Sequence, residues 1–438
     1  MTRVFENRPE GATTPTGWPS IPLKYLFRRS KTLGTGEERL LSIYRDYGVI
    51  PKDSRDDNFN KPSDDLSKYQ VVSQGDLVVN KMKAWQGSVA VSEYDGIISP
   101  AYFVYRPMGV IDGRFAHYLL RSNEYFQYYA SISSGVRPNQ WDLDPRAFER
   151  LEVTIPSHEE QHGIADYLDR ETAEIDAFIE DHERLLQLLD ERSAVAIQTA
   201  VLGAGVATTV DTGQSWPATL PLGWTAQRVS WLFDATGSGT TPASDDADAF
   251  DGDIPWVTTG ELREKAITSS EKKISLETLR QYSALRVHPA GSLLIAMYGA
   301  TIGRLGWLEV PATVNQAVCV MSGYKAGPLR FPYYALLAAR PYLLTLASGG
   351  GQPNINQDKI RSLRLPVPPS AEQERIVAEL DHTLEAEYMM RRDVERSIEL
   401  ARERRSALIS AAVTGQIDVT AQGVSAAEQL RDELEVHV

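Results

Sequence analysis

With 438 residues the chain exceeds one ordinary core and suits two domains with connectors. Apolar residues make up 42% and charged residues 24%, the balance of a folded globular protein, and no run of eighteen apolar residues offers a helical membrane span. The net charge of −14 argues at first against a nucleic-acid binder, which needs a basic footprint.

The position of the charge changes that reading. Residues 1–155 carry a net +1 and residues 206–368 a net +1, whereas residues 156–205 carry −9 and residues 369–438 carry −7. Two near-neutral blocks therefore alternate with two acidic segments. A near-neutral block can present one basic face, and the acidic segments should turn away from phosphate, toward water or a protein partner. The stretch Met1 to Gly11 lacks an apolar signal core, so a cytoplasmic location is expected. The single cysteine, Cys319, can form neither an internal disulfide nor a cysteine metal site and is expected in the core.

In chain order, the first block alternates short β-branched and aromatic runs with turn residues: Val71-Val72, Asp76 to Val79, Ser88 to Val91 and Ala101 to Tyr105. A helix is predicted from Phe115 to Tyr129, followed by a glycine loop. Between the strands, Lys81-Met-Lys-Ala-Trp-Gln-Gly87 interleaves Lys81 and Lys83 with Trp85 ahead of a glycine; after the helix, Arg137-Pro-Asn-Gln140 gathers a cation with the amides of Asn139 and Gln140. Arginine and lysine read guanine or hold phosphate, and Asn or Gln reads adenine, so both loops are candidate nucleic-acid contacts.

An uninterrupted helix follows. Ser157 is predicted as its N-cap with Glu160 closing a capping box, and no proline or glycine interrupts the segment between Gly163 and Gly203. Leu168, Ile175, Ile179, Leu186, Leu189 and Ala196 fall at helical spacing. His158-Glu-Glu-Gln-His162 matches the H-E-x-x-H zinc motif, but it lies in the first helical turn of an acidic segment.

The second block repeats the pattern with Ser292 to Ile295, Ala317 to Val320 and a helix from Tyr333 to Leu346. Its candidate contacts are Tyr298, Thr301 and Arg304 in Tyr298-Gly-Ala-Thr-Ile-Gly-Arg304, and Gln352, Asn354 and Asn356 in Gln352-Pro-Asn-Ile-Asn-Gln357. Gly237-Ser-Gly239 and Gly349-Gly-Gly351 fit no phosphate-loop pattern, Glu271-Lys-Lys273 suits a solvated turn, and no methyltransferase motif is present, so no catalytic group is assigned and no metal is expected. A second long helix then opens with Ser370 as the predicted N-cap and Gln373 three residues on, carries Ile376, Leu380, Leu384, Val394, Ile398, Ala401 and Leu408 as its stripe, and ends at Gly415.

The two long segments are copies. From Leu151 and Leu363 onward they match without a gap at an offset of 212, through Asp169/Asp381, Glu183-Arg184/Glu395-Arg396 and Ala200-Val201/Ala412-Val413. The blocks match more loosely, as Gly17-Trp18 with Gly223-Trp224, Gly75 to Val79 with Gly291 to Ile295, and Arg114-Phe115 with Arg330-Phe331. About 45 residues at 1.5 Å give each helix a length of roughly 68 Å. A helix with one apolar stripe needs a partner, and two copies can bury their stripes as an antiparallel coiled coil. The expected fold is α+β: two mixed α/β domains separated by these helices.

Asn80 to Gly87, Ser99-Pro-Ala-Tyr102, Leu220-Pro-Leu-Gly-Trp224, Tyr298-Gly-Ala-Thr-Ile-Gly303, Gln352-Pro-Asn-Ile355 and Leu365 to Ile376, taken with their order, the duplication and the paired long helices, resemble the specificity subunits of type I restriction–modification enzymes. That resemblance implies target-recognition domains at 1–156 and 204–368, conserved spacer helices at 157–203 and 369–415, and a tail at 416–438. It implies a non-catalytic subunit that reads a split, asymmetric site in double-stranded DNA with domain centres on the order of 10 base pairs apart. It further implies docking of two modification subunits, which flip and methylate adenine with S-adenosylmethionine; restriction (translocase–nuclease) subunits are a further expected partner. No cofactor is expected in this chain itself. On the residues alone, a methylation-only complex, a zinc peptidase and a coiled-coil scaffold stay open.

Overall fold

The computed structural model describes residues 17–45, 47–55, 62–63, 65–137, 140–243, 247–347, 354–417 and 419, with the side chains of 136, 137, 140 and 247 left out. The chain divides into two compact units, one of Met1–Arg184 with Val394–Val438, the other of Leu185–Asp393. Among the described residues no helix is long and apolar enough to cross a membrane.

In the first unit Ser20–Pro22 pairs antiparallel with Glu152–Thr154, closing the block at its two ends. A short helix, Leu23–Leu26, leads into a sheet ordered Phe27–Ser30, Tyr102–Pro107, Leu77–Asn80, Val89–Val91, antiparallel throughout. Alternation at period two gives each strand two apolar faces. Leu77, Val79, Phe103 and Tyr105 meet Phe115, Leu119, Tyr129 and Phe148 on one side, and Val78, Ala90 and Val104 meet Leu41, Ile43 and Val49 on the other. The helix predicted from Phe115 to Tyr129 is two, Gly113–Leu120 and Asn123–Ser131. Ser122 breaks it by taking an extended conformation, while Asp112 caps the first helix through the amides of Arg114 and Phe115 at 2.9 Å.

The second unit repeats this plan. Thr225–Arg228 pairs antiparallel with Arg364–Val367, Val229–Leu232 is the short helix, and the sheet runs Phe233–Gly237, Val318–Tyr324, Leu293–Ala296, Leu305–Leu308, with Ala266–Ile267 added in parallel at the edge. Leu293, Ile295, Cys319 and Met321 pack on the helix Arg330–Thr345 through Phe331, Tyr334 and Leu336. A small sheet of Lys273–Ile274, Ile254–Val257 and Thr313–Val314 belongs to the longer loops of this block.

The long helices span His158–Leu202 and Ser370–Val413. Each core takes the start of one and the end of the other: Ile164, Ala165 and Leu168 with Ala412 and Val413 in the first unit, Ile376 and Leu380 with Ile197 and Val201 in the second. Farther along, Ile175, Phe178 and Ala401 form a small apolar cluster in the first unit, flanked by Arg405–Asp176 at 2.8 Å and Arg402–Glu183 at 2.7 Å. In the second unit the buried Glu387 meets Arg192 at 3.0 Å and the Ser193 hydroxyl, and Arg391 pairs with Asp190. Within each unit the stripes thus seat the helices on a domain and bring short stretches of the two helices into contact. Phe178, Ile197 and Glu387 make contacts to the facing helix within their units that hydrophobic periodicity missed.

The capping box at Ser157 forms, with Glu160 N at 3.3 Å from Ser157 Oγ and Ser157 N at 3.0 Å from the Glu160 carboxylate. The one predicted at Ser370 does not. Ser370 is already helical, and Pro369, the counterpart of Ser157, holds the cap position, its carbonyl accepting from the amides of Glu372 and Gln373. Gln373 instead reaches sideways: its Nε2 donates to Ala326 O and Pro368 O at 2.9 Å, and its Oε1 accepts from the Tyr324 hydroxyl at 3.1 Å. Gln161 does the same in the first unit, donating to Pro156 O at 3.0 Å and accepting from the Asp112 amide at 2.7 Å. Gly203 and Gly415 end the helices at φ of +61° and +70°, and the amides after them bond back to Thr199 O and Ala411 O, closing a Schellman turn at each end.

Candidate nucleic-acid interface

In both units the candidate loop joins the same two neighbouring strands of the sheet. In the first it follows Leu77–Asn80 and carries Lys81, Lys83 and Trp85 into Val89–Val91. Local bonds stiffen it: Met82 N donates to Asn80 Oδ1 at 3.0 Å and Trp85 Nε1 to Met82 O at 3.1 Å. The turn Ala84–Gln86 closes on Gly87, where φ is +90° and a Cβ would lie 2.8 Å from the Phe126 ring, so only glycine fits.

Beside this loop stands the hairpin of Ser133–Arg137 and Gln140–Leu143. Trp141 sets its ring 4.8 Å from that of Trp85 at 40°, and Leu143 N donates to Lys81 O at 2.9 Å. The fold therefore brings the Lys81–Trp85 loop to the hairpin that bears Arg137 and Gln140 at its tip. Of Arg137 and Gln140 the backbone alone is described, and Asn139 lies outside the described residues.

Lys83 is exposed, whereas Lys81 is half-buried, its Nζ donating to Pro100 O and lying 5.0 Å over the Phe103 ring. The Arg29 guanidinium lies 4.3 Å from the centre of that ring. Burial first, and the Arg29 charge next, hold the Lys81 ammonium below its ordinary value, with Asp142 acting in the opposite sense. Sequence reasoning missed Arg29, Phe103 and Trp141. The Arg28-Arg29 pair at a strand start was a weak signal for the first, and the other two read as ordinary strand aromatics.

In the second unit the loop Tyr298–Arg304 follows Leu293–Ala296. Tyr298 forms an antiparallel bridge with Asn354, and Ile355 N donates to Met297 O at 2.9 Å, so the two predicted loops of this unit also lie together. Tyr298, Arg304 and Asn354 are exposed and Thr301 half-buried. Asn356 serves the fold instead. Its Oδ1 accepts from the Lys359 amide at 2.9 Å and caps the helix Gln357–Ser362. Gln352 lies outside the described residues.

The zinc motif contributes no such constellation. Its rings stand 4.6 Å apart, edge to face, and His162 Nδ1 lies 3.2 Å from Asp112 Oδ2. Among the described residues no group of three His, Cys, Asp or Glu side chains is arranged to hold a metal. In the Glu271-Lys-Lys273 triplet the Glu271 amide bonds to the Glu261 carboxylate at 3.1 Å, and Lys272 lies over the Phe250 ring at 5.1 Å.

The two units share one four-strand order, and each brings its two candidate loops together at that sheet. Residues 221–389 match the family model described as the type I restriction modification DNA specificity domain. The specificity subunit of the Escherichia coli type I restriction enzyme EcoR124I/EcoR124II is 28% identical over 149 residues, 33% of this chain and 37% of that relative. The StySPI specificity subunit of Salmonella potsdam is 21% identical over 428 residues, 92% of this chain and 90% of that relative. Among solved structures, a chain of a type I R-M system described for its complex assembly and conformational transition superposes with a TM-score of 0.66 at 17% identity, over 92% of this chain and all of that one. Residues 221–389 thus match that specificity domain, and most of the chain is similar to specificity subunits of type I restriction enzymes.

Proposed function

We propose that this chain is the DNA-recognition subunit of a type I restriction–modification complex and performs no chemistry itself. The target-recognition domains, residues 1–156 and 204–368, each read one half of a bipartite, asymmetric site. The helices of 157–203 and 369–415 form an antiparallel coiled coil that docks two modification subunits. Those partners bring S-adenosylmethionine and methylate adenine, and restriction subunits join the same assembly in the cytoplasm.

The observation that carries this reading is the duplication itself. The order of the four shared strands and the Gln161 and Gln373 contacts repeat, whereas the loops do not: the first carries Lys81, Lys83 and Trp85, the second Tyr298, Thr301 and Arg304. Identical supports suit identical partners, and different loops suit different half-sites. The pairs Arg405–Asp176, Arg402–Glu183 and Arg192–Glu387 run in opposite directions along the two helices, which supports the antiparallel pairing.

The test is the genomic methylome of the source organism with and without this gene. Loss of N6-methyladenine at a two-part motif with an unspecified middle is the expected result, and an unchanged methylome counts against the proposal.

A further inference from the structure

Arg29 and Lys81 share one aromatic ring. The guanidinium lies 4.3 Å and the ammonium 5.0 Å from the centre of Phe103. Two cations held this close repel one another. Both side chains are only partly buried, and a carboxylate or an anionic ligand would relieve the repulsion that solvent leaves. No carboxylate forms an ion pair with either cation among the described residues, Asp142 acting on Lys81 only from a distance. Lys81 has a single neutral partner, Pro100 O, and the buried Nε of Arg29 has no hydrogen-bond acceptor. A buried donor without an acceptor is costly, and an anion arriving from outside would offset that cost.

The fold does not require the cluster. The second unit builds the same sheet with Ala235 and Thr236 on the strand matching that of Arg29, Cys319 at the place of Phe103 and the buried Met297 at the place of Lys81. It closes a sound core there without any charge. The cations of the first unit are therefore additions to the scaffold, and they stand beside the Trp85–Trp141 pair and the hairpin.

We propose that Arg29 and Lys81, mounted on Phe103, seat one phosphate of the DNA backbone and so fix the first recognition domain on its half-site. A phosphate supplies the acceptor that Nε lacks, accepts a second bond from the same guanidinium fork, and neutralises both charges. Lys31, exposed one residue beyond the same strand, adds to the attraction without entering the seat. A phosphate contact carries no base information, so the seat governs affinity and register while the loops govern sequence.

This inference rests on the DNA-recognition reading. The test measures binding of a labelled DNA duplex to the full chain across about 50–200 mM salt, for the unaltered protein, Arg29→Gln, Arg29→Lys, Lys81→Gln and an exposed control, Arg280→Gln. Arg29→Gln and Lys81→Gln are expected to lower the slope of log affinity against log salt by about one each and to weaken all duplexes alike, while Arg29→Lys keeps the slope and Arg280→Gln changes nothing. Unchanged thermal midpoints confirm that the variants fold. Binding by Arg29→Gln with an unaltered slope overturns the seat alone; no binding by the unaltered chain at any salt overturns the recognition reading and the seat with it.

Discussion

Arg330 donates to Asp381 at 2.7 Å, and this bond ties the helix Arg330–Thr345 to the long helix Ser370–Val413. The Tyr334 hydroxyl bonds to the same carboxylate. The first unit repeats the clamp with Arg114 to Asp169 at 2.7 Å and Tyr118 to Asp169 at 2.8 Å, but there Arg114 has a second carboxylate, Asp166, at 2.8 Å. Exposed ion pairs contribute little, so the effect of removing the carboxylate comes mainly from groups left buried and unpaired. Arg330 is 35% exposed and Arg114 46%. Asp381→Ala is therefore expected to cost about 1–2 kcal/mol and Asp169→Ala less, read as denaturant midpoints of the full chain. The reverse order would show that the clamp is not what secures the helix.

Ile175 is fully buried against Phe178 and Ala401, whereas Leu186 keeps part of its surface in water. A carboxylate at position 175 has no cation inside that cluster. Ile175→Asp should destabilise by about 3 kcal/mol or more and weaken assembly with the modification subunits, and Leu186→Asp should do both to a smaller extent. Thermal melts and the mass of the assembled complex by light scattering measure the two effects. Equal behaviour would refute the helix-pair account.

A Cβ at Gly203 would lie 2.4 Å from Pro221 Cγ, in addition to the strain of a φ of +61°. Gly205, at +90°, has open space around it. Gly203→Ala is expected to lower the melting temperature clearly more than Gly205→Ala, because the second change costs about 1 kcal/mol of backbone strain and the first adds a collision with Pro221 in the strand Thr219–Pro221.

Burial pushes the Cys319 thiol up to about 12. In the unfolded chain it ionises near its ordinary value, so between roughly pH 9 and 12 the unfolded state binds fewer protons than the folded one, and Cys319 makes stability fall as pH rises through that window. The thiol should resist iodoacetamide at pH 8 in the folded protein and react fully in denaturant. Rapid labelling of the folded chain, read by mass spectrometry, would place Cys319 outside the core.

Exchange of residues 206–368 for the equivalent block of a relative should alter one half of the methylated motif and leave the other unchanged. A methylome in which both halves change would show that the two domains do not read independently.

Much of this was legible at the level of single elements. The short strands, the helix Arg330–Thr345 and the two long helices follow from local pattern, capping chemistry and the absence of breakers. The break at Ser122 and the cap at Pro369 were not, because each is a choice between two local conformations that packing settles. Gln373 looked like a capping residue by spacing, yet its amide satisfies the carbonyls of Ala326 and Pro368, partners that spacing along one helix cannot reveal.

The candidate interface divides in the same way. Loop composition singled out Lys81, Trp85, Tyr298 and Arg304, since cations, aromatics and glycine were close in sequence. Arg29, Phe103 and Trp141 come from a strand start, a central strand and a hairpin, and only strand order makes them neighbours of Lys81 and Trp85.

The sequence by itself determined the duplication, the helices and the alternation of neutral and acidic segments, because these depend on residues that are identical or near one another in the chain. Tertiary structure alone decided that each core takes the start of one long helix and the end of the other, that Asp169 and Asp381 receive an arginine and a tyrosine from their domains, and that Arg29 shares a ring with Lys81. Those relations join residues tens to hundreds of positions apart, and no local propensity or period carries information across such a distance.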